Sequence, residues 1–408
     1  NFLKIPCIPS KHWGWSCIAI GVGCLQVFGR SGGDCLINTQ VKQRAFHIDI
    51  IKGWAMLTII IAHCSSTFFS ETSKSILGNP WNVPVFFIIG GFFLKMESME
   101  KPKDFVTGKL RRLYLPATII YGLNVLLHNV FVYIGWYPLG GIHPASGKPY
   151  ELYDVKQVVV GLLKVFAAGG SGELTMGAMW FLYTLLYAFI GLVIIYTFIS
   201  ILTKDNSKRF QWMTIMSILL AAISCVLSQK YNITISRFST ALTAMFLIWW
   251  GMIINKKWQW KYDQWWVFII AIIIFVHCVL MHKVRMVLAH NCYQDLPMLI
   301  VGSTAAIYIW GFIGRKIENN FIGKCLALMG RESLYLMAFH IIGFFICNSI
   351  LVRLGFFTVN DTKGLYTFDM GNNGWFLLAY VISGVVSSFA IIYTFRSIKK
   401  LLLKMIGK

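Results

Sequence analysis

The sequence predicts an all-α integral membrane protein, a polytopic bundle of about ten transmembrane helices. Three observations predict it. Hydrophobic residues make up 57% of the chain and charged residues only 13%, with a mean hydropathy of +0.65, whereas an ordinary soluble domain carries about 25% charged residues. The apolar residues fall into runs of bilayer-crossing length. The basic residues that give a formal net charge of +21 lie in short loops between those runs. That placement suits membrane orientation rather than a nucleic-acid partner.

Taken in order, residues 1–40 look foreign to the rest. They hold four cysteines, and the apolar run from Trp13 to Phe28 is short and Gly-rich for a span. Lys4 and Lys11 precede it as in a signal peptide, but no clear small-residue cleavage site follows. We read 1–40 as an N-terminal extension, with the transmembrane domain occupying 41–408. Ten spans follow, at about 47–68, 81–95, 113–135, 176–203, 211–228, 237–254, 264–282, 294–314, 333–352 and 374–396. The second is short enough to be tilted or partly re-entrant. Alternate loops on the side of the start carry 23 Lys and Arg, and those on the other side carry ten. The bias predicts cytoplasmic termini and an even number of spans.

Two loops stand out. The cytoplasmic loop from Lys95 to Arg112 carries six basic residues on its way into KLRRLYLP. The external connection from Trp136 to Thr175 is the longest. It runs through WYPLGGIHPASGKPY, an amphipathic stretch from Tyr153 to Ala168 and a Gly-rich turn at Gly169–Gly172. Such a loop suits a lid or a sugar-binding surface.

The first span, FHIDIIKGWAMLTIIIAHCSSTFF, carries Asp49, Lys52 and His63 in an otherwise greasy segment. At ~100° per residue, Lys52 and His63 lie within roughly 20° of each other and ~16 Å apart along the axis. Asp49 and Thr67 fall on the same stripe. Taken singly, Lys52 also fits a snorkelling anchor and His63 an interhelical hydrogen bond. The aligned set argues for a functional seam, because ionisable groups in a membrane are costly.

The seam suits proton transfer next to an anionic ligand. His63 is the candidate base, since imidazole titrates near working pH. Lys109, Arg111 and Arg112 suit phosphate groups at a cytoplasmic face, and also fit plain orientation charge. Lys52 lies deeper on that route, with Asp49 three residues away to pair with it. The ten cysteines form no CxxC pair, and no metal spacing, P-loop or Ser/His/Asp triad appears. His128, His277 and His282 fall in no usable pattern.

These pieces resemble the acyltransferase 3 family of membrane O-acyltransferases over roughly residues 44–400. Asp49, Lys52 and His63 match the first-span pattern of Asp, then Arg or Lys, then ten residues, then His. NVPVFFIIGGFFLK resembles the family's second span, with Asn82 where a His is usual and Gly90–Gly91 where Ser-Gly is usual. KLRRLYLP resembles the basic R-x-x-R signature, with Lys109 and Arg112 at its positions. Trp180-Phe181-Leu182 resembles a WFL opening, and GRESLYLMAFH a Ser…Tyr…His segment matching Ser333, Tyr335 and His340. The lysine version looks closest to the fucose 4-O-acetylase-like branch. The resemblance implies transfer of an acyl group, most often acetyl, from acetyl-coenzyme A to a hydroxyl of a glycan or lipid-linked sugar. It further implies surface polysaccharide modification, a bacterial cytoplasmic (inner) membrane, and no metal. It adds Trp180, Tyr335 and His340 as further site candidates, each of which also fits a packing role. A transporter or flippase for a polar lipid or sugar equally explains a polar seam and a long external loop. It does not explain the basic pair beside the His-bearing helix. The departures at Asn82 and Gly90 also fit a sensor built on an acyltransferase-like core.

Overall fold

The computed structural model describes residues 46–64, 81–141, 149–169, 172–258, 262–281, 286–287, 292–293, 296–358, 366–368 and 373–405. The extension expected at 1–40 lies outside them, as does Thr67. The described residues are helical apart from connections and one antiparallel pairing, Met286–Val287 with Cys292–Tyr293.

In chain order, α1 is Phe46–Cys64 and α2 is Asn82–Phe92. Next, α3 (Pro102–Lys109) passes through a π turn at Leu110–Tyr114 into α4 (Leu115–Leu126), and α5 (His128–Tyr133) follows. The long connection after α5 contributes α6 (Val155–Ala168). Then come α7 (Trp180–Leu202), α8 (Asn206–Lys230), α9 (Ser236–Ile253) and α10 (Trp265–Val276). The chain closes with α11 (Leu296–Ile317), α12 (Phe321–Arg331), α13 (Ser333–Arg353) and α14 (Gly374–Met405).

Local sequence explains the boundaries. Asp154 and Gln157 form a capping box at the start of α6, with side-chain-to-backbone bonds of 2.7 and 2.8 Å. Gly169 ends that helix at φ +65°, where its missing Cβ also admits the Tyr183 ring. The Asp205 side chain caps α8, and the Asn320 side chain caps α12. The amphipathic pattern of α6 is real, and its Val155, Leu163 and Phe166 side chains are exposed. An exposed apolar face of that kind suits the membrane interface.

Among the described residues, seven helices are long and apolar enough to cross a bilayer: α1, α7, α8, α9 extended to Lys256, α11, α13 and α14. The other three of the ten expected spans are shorter. The helix at 81–95 amounts to the 11 residues of α2, which rise only ~16 Å against a hydrocarbon core of ~30 Å. The span at 113–135 is divided at Leu127, between α4 and α5. The span at 264–282 gives 12 α-helical residues before a π turn. Hydropathy registers apolar length but not these breaks, so among the described residues the ten expected spans correspond to seven long helices and three shorter pieces.

The core is built around α1, which packs against α12, α11, α2, α13 and α14. At two crossings the backbones touch. A Cβ on Gly53 would collide with the Leu326 carbonyl, and one on Gly330 with the Asp49 carbonyl. The two glycines therefore draw α12 onto the polar stretch of α1. In the same way Gly91 and Gly251 join α2 to α9.

Candidate active site

The polar end of α1 is an ion pair. Lys52 Nζ lies 2.8 Å from Asp49 Oδ1, with Asp49 buried and the Lys52 side chain 20% exposed. The spacing of three residues on one helix face produces it. Between Lys52 and His63 the stripe holds Met56 and Ile59, both buried. The seam is therefore a packed helix face with polar groups at its ends.

At the far end the half-buried His63 ring lies 5.1 Å from the ring of His340 on α13, tilted by 53°. Tyr366 approaches His63 edge-on at 5.7 Å. His63 Nδ1 donates to the Ile59 carbonyl at 2.9 Å, and His340 Nδ1 donates to the Leu336 carbonyl at 2.8 Å. A carbonyl oxygen can only accept, so Nδ1 carries the proton in both rings. Each neutral ring therefore presents a bare lone pair at Nε2. Among the described residues neither Nε2 has a hydrogen-bond partner, and His340 is fully buried. In the sequence His340 is only a secondary candidate, because helical spacing cannot pair residues on different helices.

Beyond the two histidines, Asn348 ties the region together. Its Nδ2 donates to the Tyr366 carbonyl at 3.1 Å, and Tyr380 donates its hydroxyl to Asn348 Oδ1 at 2.5 Å. Asn348 also lines a cavity of ≈ 370 Å³ with Trp136, Phe345, Ser349, Arg353 and Phe368. Aromatic walls with a few polar groups at this volume are typical of small-ligand sites.

A second buried polar cluster escaped the sequence reading. His128 Nδ1 lies 3.1 Å from both carboxylate oxygens of Glu173, and its Nε2 donates to the Glu151 carbonyl at 3.0 Å. Tyr153 stacks on the imidazole at 3.4 Å, within 2° of parallel. Tyr137, Thr175 and Asn124 continue the network. Both ring nitrogens and one ring face are engaged, so this cluster braces the connection from Trp136 to Thr175 and does not offer a base. Its partners lie 45 residues apart, and no local spacing could have signalled them.

The basic trio straddles the start of the π turn, with Lys109 just before it and Arg111 and Arg112 within it. Lys109 folds inward, its Nζ 3.5 Å from the centroid of Phe189 and 5.1 Å from that of Phe105. Burial first, and Arg112 second, push its ammonium down to about 8. Arg111 and Arg112 are exposed, and among the described residues neither forms an ion pair. Trp180 is half-buried with the Arg237 guanidinium 5.5 Å above its ring. Tyr335 lies beneath Arg396 at 5.8 Å, and Arg396 bonds Glu332 at 2.6 Å. Both aromatics are thus occupied by arginines, and neither joins the histidine pair. Among the described residues no cluster of three metal-binding side chains occurs.

A family model described as an acyltransferase domain matches residues 46–394. The chain belongs to the acyltransferase 3 family. It is a membrane acyltransferase, and the Lys52–Asp49 pair and the histidine pair both lie inside the matched region. Comparison with curated proteins and with solved structures gives no significant match. Asn82, one of the two departures from the usual second-span pattern, sits at the start of α2 and accepts the Val83 N–H on its side chain at 2.7 Å. At Gly90, the other, a Cβ would meet only the Phe189 and Leu185 side chains at 3.6 and 3.8 Å, and nothing in the structure explains that glycine. Gly91, where a glycine is usual, serves the crossing with α9.

Proposed function

We propose that this acyltransferase moves an acetyl group from acetyl-coenzyme A at the cytoplasmic face to a hydroxyl of a glycan or lipid-linked sugar. The acceptor is presented at or beyond the opposite face of a bacterial inner membrane, for surface polysaccharide modification. The observation that carries this reading is the bare, tautomer-fixed Nε2 of His63 on the same helix stripe as the Lys52–Asp49 pair. His63 Nε2 takes the proton of the acceptor hydroxyl as its oxygen attacks the thioester carbonyl. The C–S bond breaks as the tetrahedral intermediate collapses, and the imidazolium returns its proton to the departing thiolate. Asp49 holds Lys52, and Lys52 with exposed Arg111 and Arg112 supplies the cationic route for the anionic donor. The cavity beside Asn348, with its Trp136 and Phe368 walls and Arg353, suits a sugar on the acceptor side. Family membership favours acyl transfer over transport. Mass spectrometry of surface glycans with and without the gene tests the reading. Loss of an O-acetyl ester is expected, and identical glycans would overturn it.

Two further results are expected. Arg112→Gln should raise the donor KM about 10- to 100-fold with kcat largely kept, since a charge-assisted contact contributes ~1.5–3 kcal/mol and acts equally in ground and transition states. Lys256→Gln, equally basic but exposed elsewhere in the chain, should do much less. Titration of acetyl-coenzyme A in membranes, normalised to inserted protein, separates the two. An unchanged KM in Arg112→Gln would leave the basic cluster as orientation charge alone.

Orientation is open to a direct measurement. A membrane-impermeant thiol reagent applied from outside should label a cysteine introduced at Lys156 and spare one at Lys204, because the basic bias makes the termini cytoplasmic. The reverse pattern would remove the cytoplasmic-donor argument.

A further inference from the structure

A fully buried, unpartnered imidazole nitrogen calls for an explanation, because desolvating an acceptor without a hydrogen bond is costly. His340 Nε2 is such an atom, at 0% residue exposure. It cannot be satisfied by His63, since that ring's own proton is committed to Ile59 and its Nε2 is likewise bare. Each Nδ1 is tied back to the carbonyl one turn earlier on its own helix, so each Nε2 points away from its own helix. The rings meet 5.1 Å apart. Two neighbouring acceptors with no donor between them among the described residues fit a ligand that brings two donors of its own. A single hydroxyl has one proton and satisfies one lone pair. Adjacent hydroxyls on one sugar ring satisfy both.

Resting on the acyl transfer proposed above, we infer that the acceptor binds through a vicinal diol. The reacting hydroxyl donates to His63 Nε2, and its neighbour donates to His340 Nε2. His340 is then a positioning residue that takes no proton. It fixes which of the two hydroxyls faces the base and holds the attacking oxygen in line with the acyl carbon. The unreacted hydroxyl keeps its hydrogen bond throughout, so the bond changes stay those of the acyl transfer. The expected acceptor class is a glycan whose esterified hydroxyl has a free hydroxyl on the adjacent carbon.

The test has two arms. First, the gene-dependent ester is mapped by NMR on surface glycans released and held at mildly acidic pH to prevent ester migration. It should lie on a carbon whose ring neighbour bears a free hydroxyl. An ester on an isolated hydroxyl would overturn the diol assignment while leaving acyl transfer intact. Finding no gene-dependent ester would overturn the acyl transfer itself, and the diol with it. Second, ester content per inserted protein is compared across variants. His340→Ala should lower it about 10- to 100-fold, as expected for one buried hydrogen bond left unmade. His340→Gln, whose side-chain oxygen can accept from the same hydroxyl, should recover most of it, whereas His63→Gln should stay as inactive as His63→Ala. Wild-type ester content in His340→Ala, or no recovery in a fully inserted His340→Gln, would overturn the positioning role. So would a loss in His340→Ala that is accounted for entirely by less inserted protein.

Discussion

Replacing His63 with alanine is expected to lower acyl transfer about 10²–10⁴-fold, the usual cost of removing a general base, with inserted protein nearly unchanged. The size follows from the absence of a substitute among the described residues. His340 also presents a bare Nε2, but on a different helix and deeper in the packing. The mildness of the structural effect follows from what the side chain touches. His63 Nδ1 donates to the Ile59 carbonyl, which already accepts a backbone bond one turn along the helix. Removing the ring leaves that carbonyl satisfied. What is lost is a tilted contact with His340 and an edge contact with Tyr366, on a residue only half-buried. The measurement is acetyl-coenzyme A-dependent thiol release in membranes, normalised to inserted protein. Wild-type turnover in the alanine variant would move the base elsewhere.

The parts of this site that the sequence revealed are those lying within one helix. The helical period places Asp49, Lys52 and His63 on one face from their spacing alone, and the Lys52–Asp49 pair follows from a separation of three. The parts it concealed depend on which helices meet. His340 comes to His63 because α13 and α14 both pack on α1, and Gly384 on α14 lies against the His340 carbonyl and Ile60. Nothing local to GRESLYLMAFH encodes that. The His128–Glu173 brace is hidden for the same reason. The shortness of three of the expected spans has a different origin. A hydropathy window is blind to the turn at Leu127 and to the π turn at Leu110–Tyr114, which begins just after Lys109 and contains Arg111 and Arg112. Composition alone read the three as one cluster, whereas Lys109 folds onto Phe189 and the two arginines are exposed.

Replacing Lys52 with methionine is expected to leave the enzyme nearly inactive, and replacing it with arginine to keep part of the activity. Two different physical effects would produce the first result, and they must be separated. Lys52 is mostly sheltered and Asp49 is 4% exposed. Removing one partner of a buried ion pair typically costs ~3–5 kcal/mol. Lys52→Met could therefore fail by misfolding α1 against α12, where the Asp49 carbonyl faces Gly330. The double variant Asp49→Asn/Lys52→Met removes both charges at similar volume and lifts that penalty. If Lys52 serves the donor as a cation, the double variant inserts normally and stays inactive. If the pair only stabilises the helix, the double variant recovers both insertion and turnover. Lys52→Arg completes the set, since a guanidinium keeps the charge and still pairs with Asp49, but its wider, planar head changes the reach. Its partial activity should show as a raised donor KM with kcat less affected. Full activity in the double variant would reduce Lys52 to half of a structural ion pair and leave the donor route to Arg111 and Arg112.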